Sequence, residues 1–451
     1  MTPYRVWTLS ILSLGALLGL LTNYPGHLEF DGIMQLAEGY SGVYSNWHPP
    51  VMSWLLGISY AVRGDAWLFV LLDTLLVYGA LASILWLVKI PSKLSVPTAL
   101  VCIALPQLFL FPSIVWKDVL FANSMLAGFS LLAQMAARWD ARDIRFVLFG
   151  FAALVLSLAA LARQNGAVVL PCAAIAVALI SSSRPDNGVR VGLLWGLGFL
   201  ALTVILSLAG NQLLQSRAGK TLGAAEQVED LQIYDIAGMV QQRANLPLPI
   251  LEHAAPGLAK LLHKEGPALY TPAMQDPLVF TAEMRPYIFT SIQAVRKQWR
   301  QLILSQPLLY LKVRAIVFQW LFLPGHPDRC LTYTLGVLGP EKQMKSLRLA
   351  QRYDARDEWL EDNYAEPLVR TPVFSHVGYA LASFLAFVFF VFRRRPADIV
   401  FAAMIAATTL YDLSYYFIGV ACQYRYLLAT DIAAIAALFY MSVDMSRRTS
   451  S

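Results

Sequence analysis

The sequence predicts an all-α polytopic membrane protein, and three observations lead to this fold class. Charged residues make up only 14% of the 451-residue chain, whereas soluble globular domains carry about 25%. Hydrophobic residues make up 57%, and the mean hydropathy is +0.54. Apolar runs of the ~20 residues that a helix needs to cross a bilayer recur along the chain. The formal net charge of +6 is therefore explained by basic residues beside a membrane, and we expect the lipid bilayer and no nucleic acid as a partner.

About ten transmembrane helices, within a range of about 9–12, follow from these apolar runs. We place them at residues 6–22, 66–88, 96–112, 118–137, 145–161, 166–181, 191–212, 373–392, 397–418 and 425–443. The first run has a basic flank but no convincing cleavage site, so we expect a retained span rather than a signal peptide.

Basic residues occur in every second loop of this arrangement. They are Arg5, Lys89, Lys93, Arg138, Arg142, Arg145, Arg184, Arg190, Arg393, Arg394, Arg395, Arg447 and Arg448. Because cytoplasmic loops are enriched in Lys and Arg, we predict that these loops and both termini are cytoplasmic. The chain is then expected to be a multi-pass protein of the cytoplasmic (inner) membrane.

The loops that face outside divide the chain into three predicted units. These are an N-terminal transmembrane module at 1–212 with its first outer loop at 23–65, a mostly helical extracytoplasmic insertion at 213–372, and C-terminal transmembrane helices at 373–451. Within the insertion, the apolar segment 302–324 carries Lys312 and Arg314 near its middle. Charges at the bilayer centre are costly, so this segment is predicted to be an interfacial helix.

Two short helices are predicted in the first outer loop. "DGIMQLAEGY" places Ile33, Leu36, Ala37 and Tyr40 on one helical face, as an amphipathic interfacial helix requires. "PPVMSWLLGISYAV", at 49–62, is too short to cross a bilayer at ~1.5 Å per residue. We expect both to lie along the outer interface.

The four cysteines give no sign of a metal site. Cys102, Cys172, Cys330 and Cys422 are widely separated, without the spacing of zinc ligands. Three lie in or beside apolar runs, where a thiol behaves as a small hydrophobic group. We therefore predict neither a zinc site nor a disulfide framework.

Polar residues recur at the outer ends of several spans, where Lys and Arg should be rare. "WKD" contains Lys117 and Asp118, "RQNG" contains Arg163 and Asn165, and "QYR" ends in Arg425. The first outer loop adds Glu29, Asp31 and His48, and Asp412 with Tyr415 in "YDLSYY" lies near another outer end. We predict that the outer charges line one outward-facing cavity.

Each of these residues also has a simpler interpretation. Asp31 suits a helix N-cap, and Lys117 with Asp118 suits a weak local pair. Arg163 and Arg425 suit arginines that extend towards lipid headgroups, and His48 suits an ordinary loop histidine. Taken singly, each simpler interpretation is favoured; their joint occurrence on one side of the membrane favours a site.

The order of these motifs resembles the GT-C superfamily of membrane glycosyltransferases. A first span, the acidic "EFD" with Glu29 and Asp31, and "NWHPPVMSWLL" at 46–56 carry the resemblance. It is greatest to the protein O-mannosyltransferase and aminoarabinose-transferase branch, and it covers about the first two hundred residues. The insertion and the last spans match only in general layout.

The resemblance implies that a sugar is transferred from a polyprenyl-phosphate donor to a glycan, lipid or protein acceptor at the outer face of the membrane. It implies Asp31 as the general base and Glu29 as a second carboxylate, with an inverting displacement. His48, Lys117, Arg163 and Arg425 would bind the donor and its phosphate. Asp118, Asn165, Asp412 and Tyr415 are further substrate-binding candidates.

Some alternatives stay open at this stage. The family's two acids are often adjacent, whereas Phe30 separates Glu29 from Asp31, so a divalent cation bound by these two acids is neither required nor excluded. A transporter or flippase of a lipid-linked or amphipathic substrate would use the same polar residues, although no inverted repeat is apparent. A ligase or polymerase of lipid-linked glycans is a third interpretation.

Overall fold

The fold is built from helices that are long and apolar enough to cross a membrane. In the computed structural model, which describes residues 2–45, 47–215, 224–288, 290–323 and 328–445, there are nine such helices and no β-strand. They are Pro3–Thr22, Trp67–Ile84, Lys117–Ala137, Arg142–Ala162, Gln164–Ser182, Val189–Gln215, His376–Arg393, Pro396–Ile418 and Tyr424–Asp444. The prediction of an all-α polytopic membrane protein is confirmed.

The predicted span at 96–112 is bent rather than straight. Its two parts, Ser95–Ala104 and Pro106–Ser113, meet at an angle of 74°. Pro106 explains the break, because proline lacks a backbone donor and disfavours helical geometry in the residue before it. The bent pair still connects the two ends of the bundle, since Ser92 N donates to Val443 O and His27 N donates to Ser113 O.

The bundle has two chemically different ends. At one end, which we call the basic end, Arg5 donates to Val88 O at 2.7 Å and Arg393 pairs with Asp444 at 2.7 Å. The opposite end, which we call the site end, holds Arg425. Because Arg425 and Asp444 lie at the two ends of one 21-residue helix, about 30 Å separates the two ends. That the basic end faces the cytoplasm stays a prediction. Arg447 and Arg448, which belong to the predicted cytoplasmic residues, lie outside the described residues.

The segment predicted to be an interfacial helix at 302–324 is interrupted at Gln306, and its interfacial location stays a prediction. The structure has two helices, Ile292–Ser305 and Pro307–Phe322, that meet at 105°, and Pro324 lies outside the described residues. Arg314, whose charge counted against a span, is fully buried and pairs with Asp235 at 2.6 Å. Pairing is how a buried charge is tolerated, so the charge by itself does not fix where this segment lies.

The two predicted helices of the first loop are present as Phe30–Ser41 and Pro50–Arg63. The first begins after Glu29, so Asp31 is a first-turn residue and not the N-cap. The two helices cross with their backbones in contact, because a Cβ on Gly57 would lie 2.6 Å from Gly39 O. Glu38 reinforces the crossing by accepting from Ser53 Oγ at 2.7 Å. This crossing fixes the helix that carries Asp31.

Replacing Gly57 by alanine is expected to destabilise the protein by about 1–3 kcal/mol, the usual effect of overpacking. The added methyl group would force the two helices of the first loop apart. Thermal unfolding of purified protein in detergent would measure the loss. Gly150→Ala is the matched control, because a Cβ there meets nothing within 4 Å and alanine favours a helix. Equal melting of the two variants would contradict the proposed crossing.

The insertion consists of short helices. Besides the bent pair, they are Ala224–Gln242, Pro249–Ala254, Pro256–Lys264, Gly266–Leu269, Asp276–Val279, Arg285–Ile288, Glu341–Ser346, Ala355–Leu360, Glu361–Ala365, Glu366–Val369 and Pro372–Phe374. Its first part has an apolar core of its own, from Ile233 to Val317. Its last part, from Leu335 to Phe374, packs into the core of the bundle. The domain boundaries at 212 and 372 stay predictions.

The prediction that the cysteines form no disulfide framework is wrong, because two of the four are bonded to each other. Sequence spacing did not indicate this pair, since the fold brings together residues that are far apart in the chain. Cys330 of the insertion is bonded to Cys422, 92 residues further on and just before the last span. Cys102 and Cys172 are free and buried, as expected for small hydrophobic groups. The disulfide therefore joins the insertion to the site end of the bundle.

Candidate active site

Three extended segments bring the first loop to the start of the helix Lys117–Ala137. Val115 N donates to His27 O at 3.0 Å, and Leu28 N donates to Gly336 O at 2.9 Å. Residues 27–28 thus lie between 114–115 and the insertion, in isolated parallel bridges. Because Glu29 follows one segment and Trp116 and Lys117 follow the other, these side chains meet.

Arg425 lies between the two carboxylates of the first loop. Its Nη1 donates to Glu29 Oε1 at 2.7 Å, and its Nη2 donates to Asp31 Oδ2 at 2.9 Å. The guanidinium lies 4.9 Å from the centre of the Trp116 ring, and Trp116 Nε1 donates to the same Glu29 oxygen at 2.6 Å. Gln423 Oε1 accepts from Arg425 Nε at 2.7 Å. Arg425 therefore sets the relative positions of both acids.

A second chain of contacts runs from Lys117 through His48 to Asp31. Lys117 Nζ lies 3.2 Å from His48 Nδ1, and because an ammonium group only donates, Nδ1 is the acceptor. A neutral ring then carries its proton on Nε2, which lies 3.8 Å from Asp31 Oδ1. His48 thus presents an N–H towards Asp31 and has no free nitrogen to take a proton from it.

The surroundings move the pKa values of these loop groups in different directions. Burial tends to raise the pKa of Asp31, but Arg425, His48 and Lys117 outweigh it and lower that pKa to about 2. Burial raises the pKa of Glu29 although Arg425 opposes the shift. Burial and Lys117 lower the pKa of His48 to about 3. At neutral pH Asp31 is ionised and His48 is neutral.

A third group connects the same acids to Arg163. Asp118 Oδ2 accepts from Arg163 Nη1 at 3.5 Å, Asp118 Oδ1 forms an ion pair with Arg163 Nη2 at 3.2 Å, and Asp118 Oδ2 lies 3.7 Å from Arg425 Nε. Arg163 also donates to the hydroxyl of Tyr415, and its guanidinium lies 5.3 Å from the centre of the Tyr426 ring. Glu29, Asp31 and Asp118 are thus connected through two arginines, Arg163 and Arg425.

A cavity of about 170 Å³ opens beside this cluster. Four predicted site residues line it, namely Lys117, Arg163, Asn165 and Tyr415. Sequence reasoning did not select the other lining residues, namely Trp47, Pro49, Gln164, Ile418, Val420 and Tyr426. Trp47 in "NWH" and Tyr426 in "YRY" are adjacent in sequence to the predicted site residues His48 and Arg425. This adjacency was the signal that could have indicated them. Glu29, Asp31, His48 and Arg425 are not among the residues that line the cavity.

Asp412 is not brought to the cavity. Its Oδ2 accepts from Thr430 Oγ1 at 2.5 Å between two spans, and the residue is only 6% exposed. Asn165, in contrast, lines the cavity and donates to Ser414 Oγ at 2.9 Å. The structure therefore places the predicted substrate-binding residues in two different surroundings.

Glu29 and Asp31 do not fit a divalent cation as they are arranged. Each carboxylate gives an oxygen to Arg425, whose guanidinium lies between them. Among the residues that the structure describes, no group of three or more His, Cys, Asp or Glu side chains is placed to hold a metal ion. We therefore derive no step through a metal, and a metal requirement stays an open prediction.

Comparison with known proteins gives remote structural likenesses. No protein-family model matches the sequence, and no match was found among curated protein sequences. The chain is similar to the archaeal oligosaccharyltransferase AglB from Archaeoglobus fulgidus in complex with an inhibitory peptide and a dolichol-phosphate, with a TM-score of 0.42, 13% identity, and 96% of this chain covered. The apo form gives a TM-score of 0.43, also at 13% identity and 96% coverage of this chain. The chain spans about half the length of these proteins, 50% in both cases. At this level the likeness carries no conclusion about activity.

Proposed function

We propose that this protein is a GT-C-type glycosyltransferase that transfers a sugar from a polyprenyl-phosphate donor to an acceptor at the outer face of the cytoplasmic membrane. The observation that carries the proposal is that Lys117 lies at the cavity without a contacting carboxylate from the described part of the chain. Its ammonium group lines the cavity beside Arg163 and contacts the neutral His48. Among the described residues it has no carboxylate within 4.0 Å, unlike Arg163 and Arg425. A cation free of a contacting carboxylate is available to a phosphate group.

The cavity combines the features that a lipid-linked donor requires. Arg163 is always charged and matches phosphate geometry, and Lys117 adds a second positive charge. Trp47, Tyr415 and Tyr426 also line the cavity, and aromatic side chains suit a sugar ring. Ile418 and Val420 provide an apolar edge at the end of a span, where a polyprenyl chain would begin. The disulfide bond supports an outer location, because disulfides persist in oxidising compartments.

Asp31 is the proposed general base. It is ionised and its side chain is 29% exposed, so an acceptor hydroxyl can reach it. A pKa of about 2 makes the resting carboxylate a weak base, since bases work best near the operating pH. A bound donor phosphate would place negative charge beside Lys117, which offsets the positive field of Lys117 on Asp31 and raises the pKa of Asp31. Donor binding would thus activate the base.

The proposed step is a direct displacement with inversion. Asp31 takes the proton of the acceptor hydroxyl as its oxygen forms a bond to the anomeric carbon. The bond from that carbon to the phosphate oxygen breaks, and its electron pair leaves with polyprenyl phosphate. Lys117 and Arg163 stabilise the negative charge on this leaving group, while the Nε2 atom of His48 faces Asp31 Oδ1 at 3.8 Å.

Replacing Lys117 by glutamine is expected to weaken binding of polyprenyl phosphate about 10- to 100-fold, the effect of losing one charge-assisted hydrogen bond. Binding to purified protein in nanodiscs would measure the change. Lys312→Gln is the matched control, because Lys312 is exposed and lies in the insertion. Unchanged affinity in the Lys117 variant would contradict the proposed phosphate site.

Turnover would separate transfer from transport. Purified protein is incubated with polyprenyl-phosphate sugars and a panel of glycan, lipid and protein acceptors, and release of polyprenyl phosphate is followed. Sugar-dependent release supports the transferase. Movement of the intact donor across proteoliposomes without release would instead identify a flippase, and the identity of the accepted acceptor would distinguish a ligase of glycans from other transferases.

A further inference from the structure

We infer that the insertion positions Arg425 by holding the linker between the last two spans, so that activity depends on the Cys330–Cys422 disulfide. The 419–423 linker runs from Gly419 to Gln423, between the helix that ends at Ile418 and the 3-10 turn that begins at Tyr424. The dependence of activity on the disulfide rests on the proposed function. The contacts that hold the linker are observed in the structure independently of that function.

The linker is not helical, so its shape depends on what it touches. Arg314 Nη1 donates to Gly419 O at 2.7 Å, and Ala421 forms an isolated bridge with Met274. Cys422 N donates to Ala273 O at 2.8 Å. Each of these partners belongs to the insertion, and the contacts occur along most of the linker.

The disulfide is the covalent member of this set. Cys330 holds Cys422, and the next residue of the insertion, Leu331, accepts from Tyr424 N at 2.8 Å. Cys330, Cys422 and Ala273 form a small buried cluster, against which Trp320 packs. The linker is therefore fixed immediately before Arg425 by a bond that only a reductant breaks.

Arg314, which also holds the linker, is itself fixed by its neighbours. Arg314 is fully buried and pairs with Asp235 at 2.6 Å, and Trp299 Nε1 donates to Asp235 at 2.8 Å. Their sequence neighbours Tyr234, Ile236 and Val313 belong to the insertion's own apolar core, and Trp299 packs against that core. The insertion thus provides a stable body to which the linker is attached, rather than a loop that moves with it.

The positions of Glu29 and Asp31 depend on the linker through Arg425. Gln423 in the linker accepts from Arg425 Nε, and Arg425 in turn bonds Glu29 and Asp31. Lys117 and Arg163 lie on other elements and contact no linker residue named above. Val420 of the linker also lines the cavity, so loss of the clamp should lower kcat, through the acids, more than it weakens donor binding. Cys330, Cys422 and Arg314 are positioning residues in this scheme.

The test uses the full-length protein, folded and purified with its disulfide intact. Dithiothreitol is added to wild type, and kcat, the KM for donor and the stoichiometry of bound polyprenyl phosphate are measured. We expect kcat to fall about 10- to 100-fold, the usual effect of a small misplacement of catalytic groups, with a smaller change in the KM for donor and an unchanged stoichiometry. Hydrogen exchange should accelerate at 419–428 and stay unchanged at 117–137.

Matched variants assign the effect to one bond. Cys102→Ala with Cys172→Ala keeps the disulfide and should respond to reductant as wild type does. The double variant Cys330→Ala with Cys422→Ala should have the kcat of reduced wild type, and reductant should not change it further. Unchanged exchange at 419–428 after reduction overturns the inference, as does unchanged kcat in an active enzyme. If wild type turns over no donor, the proposed function has failed, and the exchange measurement alone decides the clamp.

Discussion

Replacing Asp31 by asparagine is expected to lower turnover about 10²- to 10⁴-fold, the range that a positioned general base supplies. Asparagine keeps the size of the side chain and an oxygen that accepts from Arg425, but it cannot take a proton from the acceptor. Lys117 and Arg163 are unaffected, so binding of polyprenyl phosphate should be unchanged. Release of polyprenyl phosphate and its equilibrium binding would be measured on the same preparation.

The control for this variant is Asp143→Asn. Asp143 is exposed in the first turn of the helix Arg142–Ala162, at the basic end of the bundle. Its replacement should leave both turnover and binding unchanged. If Asp31→Asn turned over at the wild-type rate, Asp31 would not be the general base. Glu29, the other carboxylate that Arg425 bonds, would then be the candidate.

Replacing Arg425 by lysine is expected to have an effect of similar size. Arginine bridges Glu29 and Asp31 with two charge-assisted hydrogen bonds, and each such bond contributes about 1.5–3 kcal/mol. Lysine keeps the charge but has a single donor centre and no planar group to lie against Trp116, so it is not a conservative replacement here. We expect kcat to fall about 10²- to 10⁴-fold, because the acids lose their common anchor. Steady-state kinetics would measure the change.

Arg393→Lys provides a matched control within the same chain. Arg393 also bridges two carboxylates, Asp398 and Asp444, but at the basic end of the bundle. Both substitutions should lower thermal stability, whereas only Arg425→Lys should lower kcat in the protein that stays folded. Equal kinetic effects of the two variants would show that Arg425 acts through stability alone.

Features that depend on neighbouring residues were predictable from the sequence. The apolar runs gave the long helices, and the spacing of Ile33 and Leu36, both buried in the structure, indicated the helix that carries Asp31. The prolines at 49 and 50 also marked the start of the helix Pro50–Arg63. These signals succeed because helix formation and membrane insertion are decided by stretches of about 20 residues or fewer.

The partners of the charged residues were not predictable. Arg425 was expected at the donor phosphate, yet it bonds acids 394 and 396 residues away along the chain. Asp412 was expected among the substrate contacts, yet it bonds Thr430 between two spans. The Cys330–Cys422 bond and the break at Gln306 between two helices were also missed.

The sequence by itself determined that this is a helical membrane protein and that acids, arginines and a histidine gather at the loops of one side. Only the tertiary structure decided which cation holds which acid, and that Lys117 has no carboxylate within 4.0 Å among the described residues. The physical reason is range: an ion pair at 2.7–2.9 Å depends on how distant segments pack. Here the bridges at 27–28 and the clamped 419–423 linker set that packing, and no local pattern encodes it.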